Sequence, residues 1–229
     1  MTDARTSWML IALSAATFMV TSSGSATAPF LQNIAADLST GLPAIANLFS
    51  AQAITWGGAS LVAGALSDRF GRRPILIAAV VLLGATRLGF AAASSYGEAL
   101  TWQVISGVGG GAFMGTVFAA VADNIPPGAR GRALSWIITG QSLSLVLGVP
   151  IVTLLGTLGG WRGALAIHGT ATILIAIAVR LAAPPDRPHA HDAHKDKPPP
   201  TALLQPRLIA LMAAGTTELW SGLPSLIVV

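Results

Sequence analysis

Gly64-Ala65-Leu66-Ser67-Asp68-Arg69-Phe70-Gly71-Arg72-Arg73-Pro74-Ile75-Leu76 places one acid and three arginines within six residues, between two long apolar runs. Gly71 permits a tight reversal, and Pro74 suits the first turn of a new helix. The three arginines keep this turn out of lipid and pin it to the cytoplasmic face of a membrane. The stretch reads as a short charged hairpin joining two membrane helices.

The composition agrees. Of 229 residues, 53% are hydrophobic and only 10% charged, and the mean hydropathy of +0.69 is too apolar for a soluble domain. The net charge of +4 and pI near 10.7 do not call for a nucleic-acid partner. Most basic residues fall in loops on one side of the expected membrane, which explains them by orientation. The chain has no cysteine, which excludes disulfides, thiolate metal sites and cysteine catalysis. Met1 to Ser7 carries one arginine and runs into an apolar stretch without a small-residue cleavage site. It reads as a retained first helix, not a signal peptide.

The spacing predicts an all-α membrane bundle over 1–183, with helices at about 8–31, 44–66, 74–93, 98–121, 133–158 and 164–182. The 20 residues from Pro74 to Ala93 span about 30 Å, one hydrocarbon core. Residues 32–43 and 159–163 read as external loops, 94–97 as an external turn, and 123–132 as a cytoplasmic loop turning at Pro126-Pro127-Gly128. Residues 184–205, rich in Pro, His, Asp and Lys, read as a cytoplasmic linker, and 206–229 as a seventh membrane helix. His189, His191 and His194 in that linker are metal-ligand types. On a flexible segment without cysteine they read as solvated, and no metal or cofactor is called for. Arg5, the hairpin, Arg130, Arg132, Arg180, Arg187, Lys195, Lys197 and Arg207 all fall on one side, with Arg162 outside. This topology puts the N-terminus and the linker in the cytoplasm and makes the chain a multi-pass protein of the cell membrane.

Small and polar residues recur at helical spacing. Ser14, Thr17, Thr21 and Ser25 form a mildly polar stripe on the first helix, which either lines a cavity or lets helices pack closely. Gln52 and Trp56 share a face of the second helix, where Gly57, Gly58 and Gly64 suggest close helix approach. Gln103, Gly107, Gly111 and Gly115 fall every four residues. So do Gly140, Ser144 and Gly148, before Pro150 interrupts the backbone ladder.

Residues 64–73 resemble the signature loop of the major facilitator superfamily, G-x-L-x-D-R-x-G-R-R/K. Gly64, Leu66, Asp68, Arg69, Gly71, Arg72 and Arg73 all match. Gly140, Gly148, Pro150 and Gly156, followed by Gly160-Trp161-Arg162, resemble the Gly/Pro motif of its drug:proton antiporter branch, closest in look to the arabinose-efflux-permease-like group. The resemblance implies an N-terminal six-helix half, a linker and the start of a second half. It implies an efflux-type secondary transporter in the lipid bilayer, working by alternating access on a small molecule such as a drug, sugar or metabolite. Protons would be the coupling ion, and a C-terminal six-helix half, from the same gene or a separate chain, the partner. It also implies that the second motif bends the fifth helix and packs it against that other half. The alternative is a truncated or half-size membrane protein of this type without transport activity of its own. An enzyme is not expected: Ser60 and His168 lack the G-x-S-G setting of an intramembrane protease.

Two positions depart from the branch. Its arginine four residues before the first glycine of the fourth helix is Gln103 here. The acid that many relatives carry after a Thr-Ser pair in the first helix is Ser23, after Thr21-Ser22. Arg87 lies eight residues before Ser95 and Gln103 eight after it, so the two share a depth in antiparallel helices. Arg87 either supplies the charge that Gln103 lacks or snorkels to the headgroups. Aligning Pro29 with Pro224 sets Thr21-Ser22-Ser23 against Thr216-Thr217-Glu218. Glu218 then either takes a proton or a cationic substrate, or sits near a helix end in water. In the signature loop, Arg72 or Arg69 is expected to reach Asp123, and Asp68 to face a helix of the second half. The substrate or proton candidates are Glu218, Arg87, Gln103, Gln52, Trp56, Thr21 and Ser25.

Overall fold

The computed structural model describes residues 4–183. The segments 184–205 and 206–229, with Glu218 and the three linker histidines, lie outside the described residues. The described chain is helical. In order, α1 is Ala4–Ser25, a 3-10 turn is Ala28–Phe30, α2 is Leu31–Asp37, α3 is Leu42–Phe70, α4 is Arg72–Ala92 and α5 is Tyr96–Asn124. A second 3-10 turn, Pro127–Ala129, leads into α6, Arg130–Leu143; a π-helical turn, Ser144–Gly148, follows, and then α7, Val149–Ala182. Apolar surroundings offer no partner to a free peptide group, so long self-satisfied helices are what such runs form. Among the described residues, Thr6–Asp37, Arg72–Ala92, Tyr96–Asn124 and Pro127–Ala182 are long and apolar enough to cross a membrane.

The boundaries correct several expectations. The first helix stops at Ser25, and residues 31–37 are helical, not loop. Pro29 breaks the ladder, and Ile34, Ala35 and Leu38 then bury themselves under Ile45, Leu48 and Trp161. The break between the fifth and sixth expected helices narrows to Gly159 and Gly160. The latter has φ 64°, a conformation that favours glycine. Upstream of Pro150, which carries no N–H, the helix widens into the π-turn.

Glycine sets which helices touch. On α5, Gly107 lies against the Gln52 carbonyl and Thr55, Gly111 against the Trp56 carbonyl and Ser60, and Gly115 against the Ser60 carbonyl. Both numbers rise together, so α3 and α5 run parallel. Gly140 lies on Ser14, Gly148 on Ser22 and Gly156 on Phe30, which makes a second parallel seam between α1 and the α6–α7 stretch. These glycines therefore pack inside their own bundle. The other half, against which the resemblance implies that the fifth expected helix packs, lies outside the described residues. α4 runs antiparallel to the part of α7 after Gly160, with Gly84 and Gly169 facing each other's carbonyls. No heavy atom comes within 4 Å of a Cβ built at Gly57, Gly58 or Gly64, so the close approach expected there is not made within the described bundle.

Adding a methyl on a seam drives it into backbone, which cannot yield as a side-chain tip can. Gly111→Ala is expected to cost about 1–3 kcal/mol. Gly97→Ala, where a Cβ meets open space, is the neutral control. Thermal unfolding of the detergent-purified protein checks this, with a lowered midpoint for the first variant alone.

Candidate functional site: a charged hairpin and a buried polar layer

At one end of the bundle, Gly71 turns α3 into α4 with φ 97°, and its N–H caps the Ser67 carbonyl at 3.0 Å. That reversal folds Arg72 back over the last turn of α3. Its Nε donates to Asp123 Oδ2 on α5 at 3.0 Å, and Nη1 donates to the Gly64 carbonyl at 3.2 Å. The same guanidinium also donates to Ser67 Oγ and pairs with Asp68. One planar fork thus ties three helices together, a task that lysine's point charge cannot copy. Of the two arginines expected at Asp123, Arg72 is the one that reaches it. Asp68 pairs with Arg72, because the positive-φ turn brings that arginine back onto the preceding helix; the second half that Asp68 is expected to face lies outside the described residues. Arg73 donates to the Arg180 carbonyl at 2.6 Å, satisfying the end of α7. Arg69 is exposed and rests over the Phe70 ring at 5.4 Å.

The opposite end has its own clamp. Trp161 Nε1 donates to Asp37 Oδ2 at 2.8 Å. Arg162 donates to the Ala91 and Ala93 carbonyls at 2.7 and 2.8 Å and lies over the Trp161 ring at 4.3 Å.

Between these ends the core is layered. An apolar cluster around Leu13, Leu83, Phe113 and Ile137 fills the hairpin end, and another around Ile34, Leu48, Phe90 and Leu165 fills the far end. In the sequence gaps between the two clusters fall Ser22, Ser23, Gln52, Arg87, Gln103, Ser106 and His168, all buried. Arg87 is 1% exposed, so it faces protein and does not snorkel. Its Nε donates to Ser23 Oγ at 2.5 Å, another N–H donates to the Ser23 carbonyl, and Nη1 donates to Gln103 Oε1 at 3.4 Å. Gln103 then donates to Gln52 Oε1 at 3.4 Å, and Gln52 to Ser106 Oγ at 3.2 Å. His168 Nε2 lies 2.9 Å from Ser22 Oγ. The layer draws on α1, α3, α4, α5 and α7. A buried cation of this kind needs every donor satisfied, and this chain of amides and hydroxyls supplies acceptors without a carboxylate.

Of the remaining sequence candidates, Thr21 and Ser25 are half-buried, and Ser25 donates back to the Ser22 carbonyl at 3.3 Å. Ser14 donates to the Trp136 carbonyl at 2.8 Å across the α1–α6 seam, so this end of the stripe serves packing. Trp56 covers Gly110 and belongs with the apolar cluster at the hairpin end, one turn from Gln52 in the polar layer. Ser60 donates to the Gly57 carbonyl and His168 meets Ser22, so those two are not brought together. Sequence reasoning missed the Ser22–His168 pair. A lone histidine within an apolar helix was the available signal.

Comparison with known proteins places this architecture. A family model described as the Major Facilitator Superfamily matches residues 13–229. The chain is 30% identical over 193 residues to a chloramphenicol resistance protein of Streptomyces lividans, covering 82% of this chain and 48% of that protein. It is 31% identical over 113 residues to a chloramphenicol efflux pump of Mycobacterium tuberculosis, covering 49% of this chain and 27% of the pump. Over 120 residues, 52% of this chain and 27% of the relative, it is 28% identical to a 4-hydroxybenzoate transporter of Pseudomonas putida. Among solved structures, a bacterial homolog of the human lysosomal transporter Spinster, inward-facing and unoccupied, superposes with TM-score 0.70 at 18% identity, covering 85% of this chain and 48% of that one. The chain spans about half the length of the first of these relatives. A match across nearly its whole length makes it a member of the major facilitator superfamily.

Proposed function

We propose that this chain is the N-terminal six-helix bundle, linker and first helix of the second half of an efflux-type secondary transporter. It works by rocking against a C-terminal bundle around a midplane site, with protons as the coupling ion. The observation that carries the reading is the polar layer centred on Arg87, set at mid-bundle in a family member whose relatives include chloramphenicol exporters. In this reading Arg87 takes over the charge that Gln103 lacks, since it touches both Gln103 and Ser23, the two positions where the branch pattern departs. Gln52 extends that layer; Thr21, Ser25 and Trp56 border it, and Glu218 is assigned to proton or cation binding on the second half. The open face at Gly57, Gly58 and Gly64 suits the C-terminal bundle.

The first test uses chloramphenicol as substrate. Cells expressing the chain together with any coding sequence that continues past Val229 are expected to accumulate less radiolabelled chloramphenicol, and an uncoupler to restore the level. No difference from empty-vector cells under either arrangement would retire the carrier reading for this drug.

The second test addresses the latch. Arg72→Lys keeps the charge and loses the fork, and Asp123→Asn loses the cross-helix ion pair. Each is expected to slow transport about tenfold, equivalent to about 1.4 kcal/mol of barrier, with membrane expression unchanged. Wild-type rates in both variants would remove the latch from the mechanism.

The third test concerns orientation. The chain lacks cysteine, so single cysteines report cleanly. With the hairpin in the cytoplasm, Gly97→Cys is expected to react with an impermeant maleimide on intact cells, and Gly128→Cys only after lysis. The reverse pattern would invert the topology.

A further inference from the structure

The contacts of Ser22 bear on the tautomer of His168. The Ser22 hydroxyl has one hydrogen, and it donates to the Met19 carbonyl at 3.1 Å. With that hydrogen on the Met19 carbonyl, Ser22 Oγ faces His168 Nε2, 2.9 Å away, as the acceptor, and the imidazole hydrogen sits on Nε2. The other ring nitrogen, Nδ1, is buried and has no hydrogen-bond partner among the described residues. In this tautomer it is a bare lone pair inside the bundle, and His168 itself is only 5% exposed. A buried polar atom left unpaired is costly and calls for an explanation.

The surroundings supply one. Arg87 on α4 packs beside this stretch of α7: a Cβ built at Gly169 would lie 2.9 Å from Arg87 Cβ. Arg87 holds Ser23, and His168 holds Ser22, so two groups on different helices grip adjacent residues of α1. Gly148 of the π-turn packs on the same place: a Cβ built there would lie 3.0 Å from Ser22 Cβ. We infer that His168 is a proton-binding site, with Nδ1 as the accepting atom, and that Ser22–Ser23 converts its protonation into a displacement of α1 relative to α4 and α7.

The step is a simple transfer. A hydronium ion gives its proton to the Nδ1 lone pair, leaving water and an imidazolium. In the arrangement described, that imidazolium would stand beside the Arg87 guanidinium in a dry interior, where like charges repel strongly. The proton is accommodated only when these helices separate, so binding it selects the separated arrangement. The charged groups facing this site can be enumerated. From α4 it is Arg87; Arg72 and Arg73 are fourteen or more residues away along that helix. From α1, Ser22 and Ser23 face it, and Arg5 is seventeen residues from Ser22. The π-turn and the Ala28–Phe30 turn carry no titratable residue. On α7, Arg162 is engaged with the Ala91 and Ala93 carbonyls, and Arg180 lies twelve residues on. The carboxylates of the described residues, Asp37, Asp68, Glu98 and Asp123, are engaged elsewhere with Trp161, Arg72, Ser94 and Arg72 respectively.

The role in transport rests on the proton-coupled reading above, but the site is testable without transport. Gly24→Cys places a thiol in open space next to Ser23 in an otherwise cysteine-free chain. In lipid nanodiscs, its maleimide labelling rate, divided at each pH by that of the same thiol in the unfolded chain to remove thiolate ionisation, is expected to change at least fivefold in a single transition between pH 4.5 and 8.5. Adding His168→Gln, whose amide keeps the Ser22 bond but cannot take the proton, is expected to flatten the profile while leaving elution and unfolding midpoint unchanged. A transition that persists in His168→Gln overturns the proposal, as does a flat profile in the parent. Should His168→Gln fail to fold, His189, His191 and His194 are replaced by Gln and the remaining imidazole is followed by NMR. A resonance that does not titrate over this range overturns the proposal, and one that does supports it. Loss of chloramphenicol export with His168 still titrating would count against the carrier reading and leave the proton site standing.

Discussion

Lipid removes the usual reason for helices to associate, because acyl chains are as apolar as leucine. What remains is contact close enough for dispersion and polar bonds to count, and here that closeness depends on backbone meeting backbone at glycine. The seams of α3 with α5 and of α1 with α6–α7 are both built this way, with no side chain interposed at Gly107, Gly111, Gly115 or Gly140. Both seams join helices that run the same way: α4 returns between α3 and α5, whereas α3, α4 and α5 lie between α1 and α6. Exchanging the first three long helices for the next three maps one seam onto the other, which is what two inverted repeats nested in one bundle produce.

Once the helices are this close, polar side chains between them are cut off from water and must satisfy one another. Arg72 and Arg87 show two solutions. Arg72 sits at a half-open end, where two carboxylates more than offset its charge and its fork acts as a tie. Arg87 sits in the dry middle, where serine and glutamine oxygens solvate it without cancelling its charge. A half-open tie can break and reform at modest cost. An uncancelled charge keeps acting on whatever approaches it.

The general architecture was legible because membrane helices are written in composition: a run of about 20 apolar residues has few other fates. The hairpin was legible because Gly71 and three arginines allow one conformation and one environment. The depth match of Arg87 with Gln103 came from counting outward from a short turn. What stayed hidden depends on tertiary pairing. Ser22 and His168 are 146 residues apart, and nothing local to either announces the other. The helix over 31–37 was hidden because Gln32 and Asn33 look like loop, whereas they are the exposed side of a segment buried through Ile34 and Ala35. That α1 covers Gly140 and Gly148 was hidden too, since spacing tells which residues share a face but not what covers it.

The π-turn brings those two glycines closer to one line. Eight residues on a straight α-helix overshoot two turns by about 80°, a drift that Gly107 and Gly115 accommodate on the α3–α5 seam. A π-turn absorbs one extra residue, and seven residues fall only about 20° short of two turns. One surplus residue in 144–148, just before Pro150, therefore straightens the seam between Gly140 and Gly148. Length changes are therefore not equivalent along this bundle. Losing one residue from 144–148 would convert the turn to ordinary helix and keep both glycines on α1. Losing one from a regular stretch such as 107–115 would rotate everything beyond it by about 100° and unseat the seam.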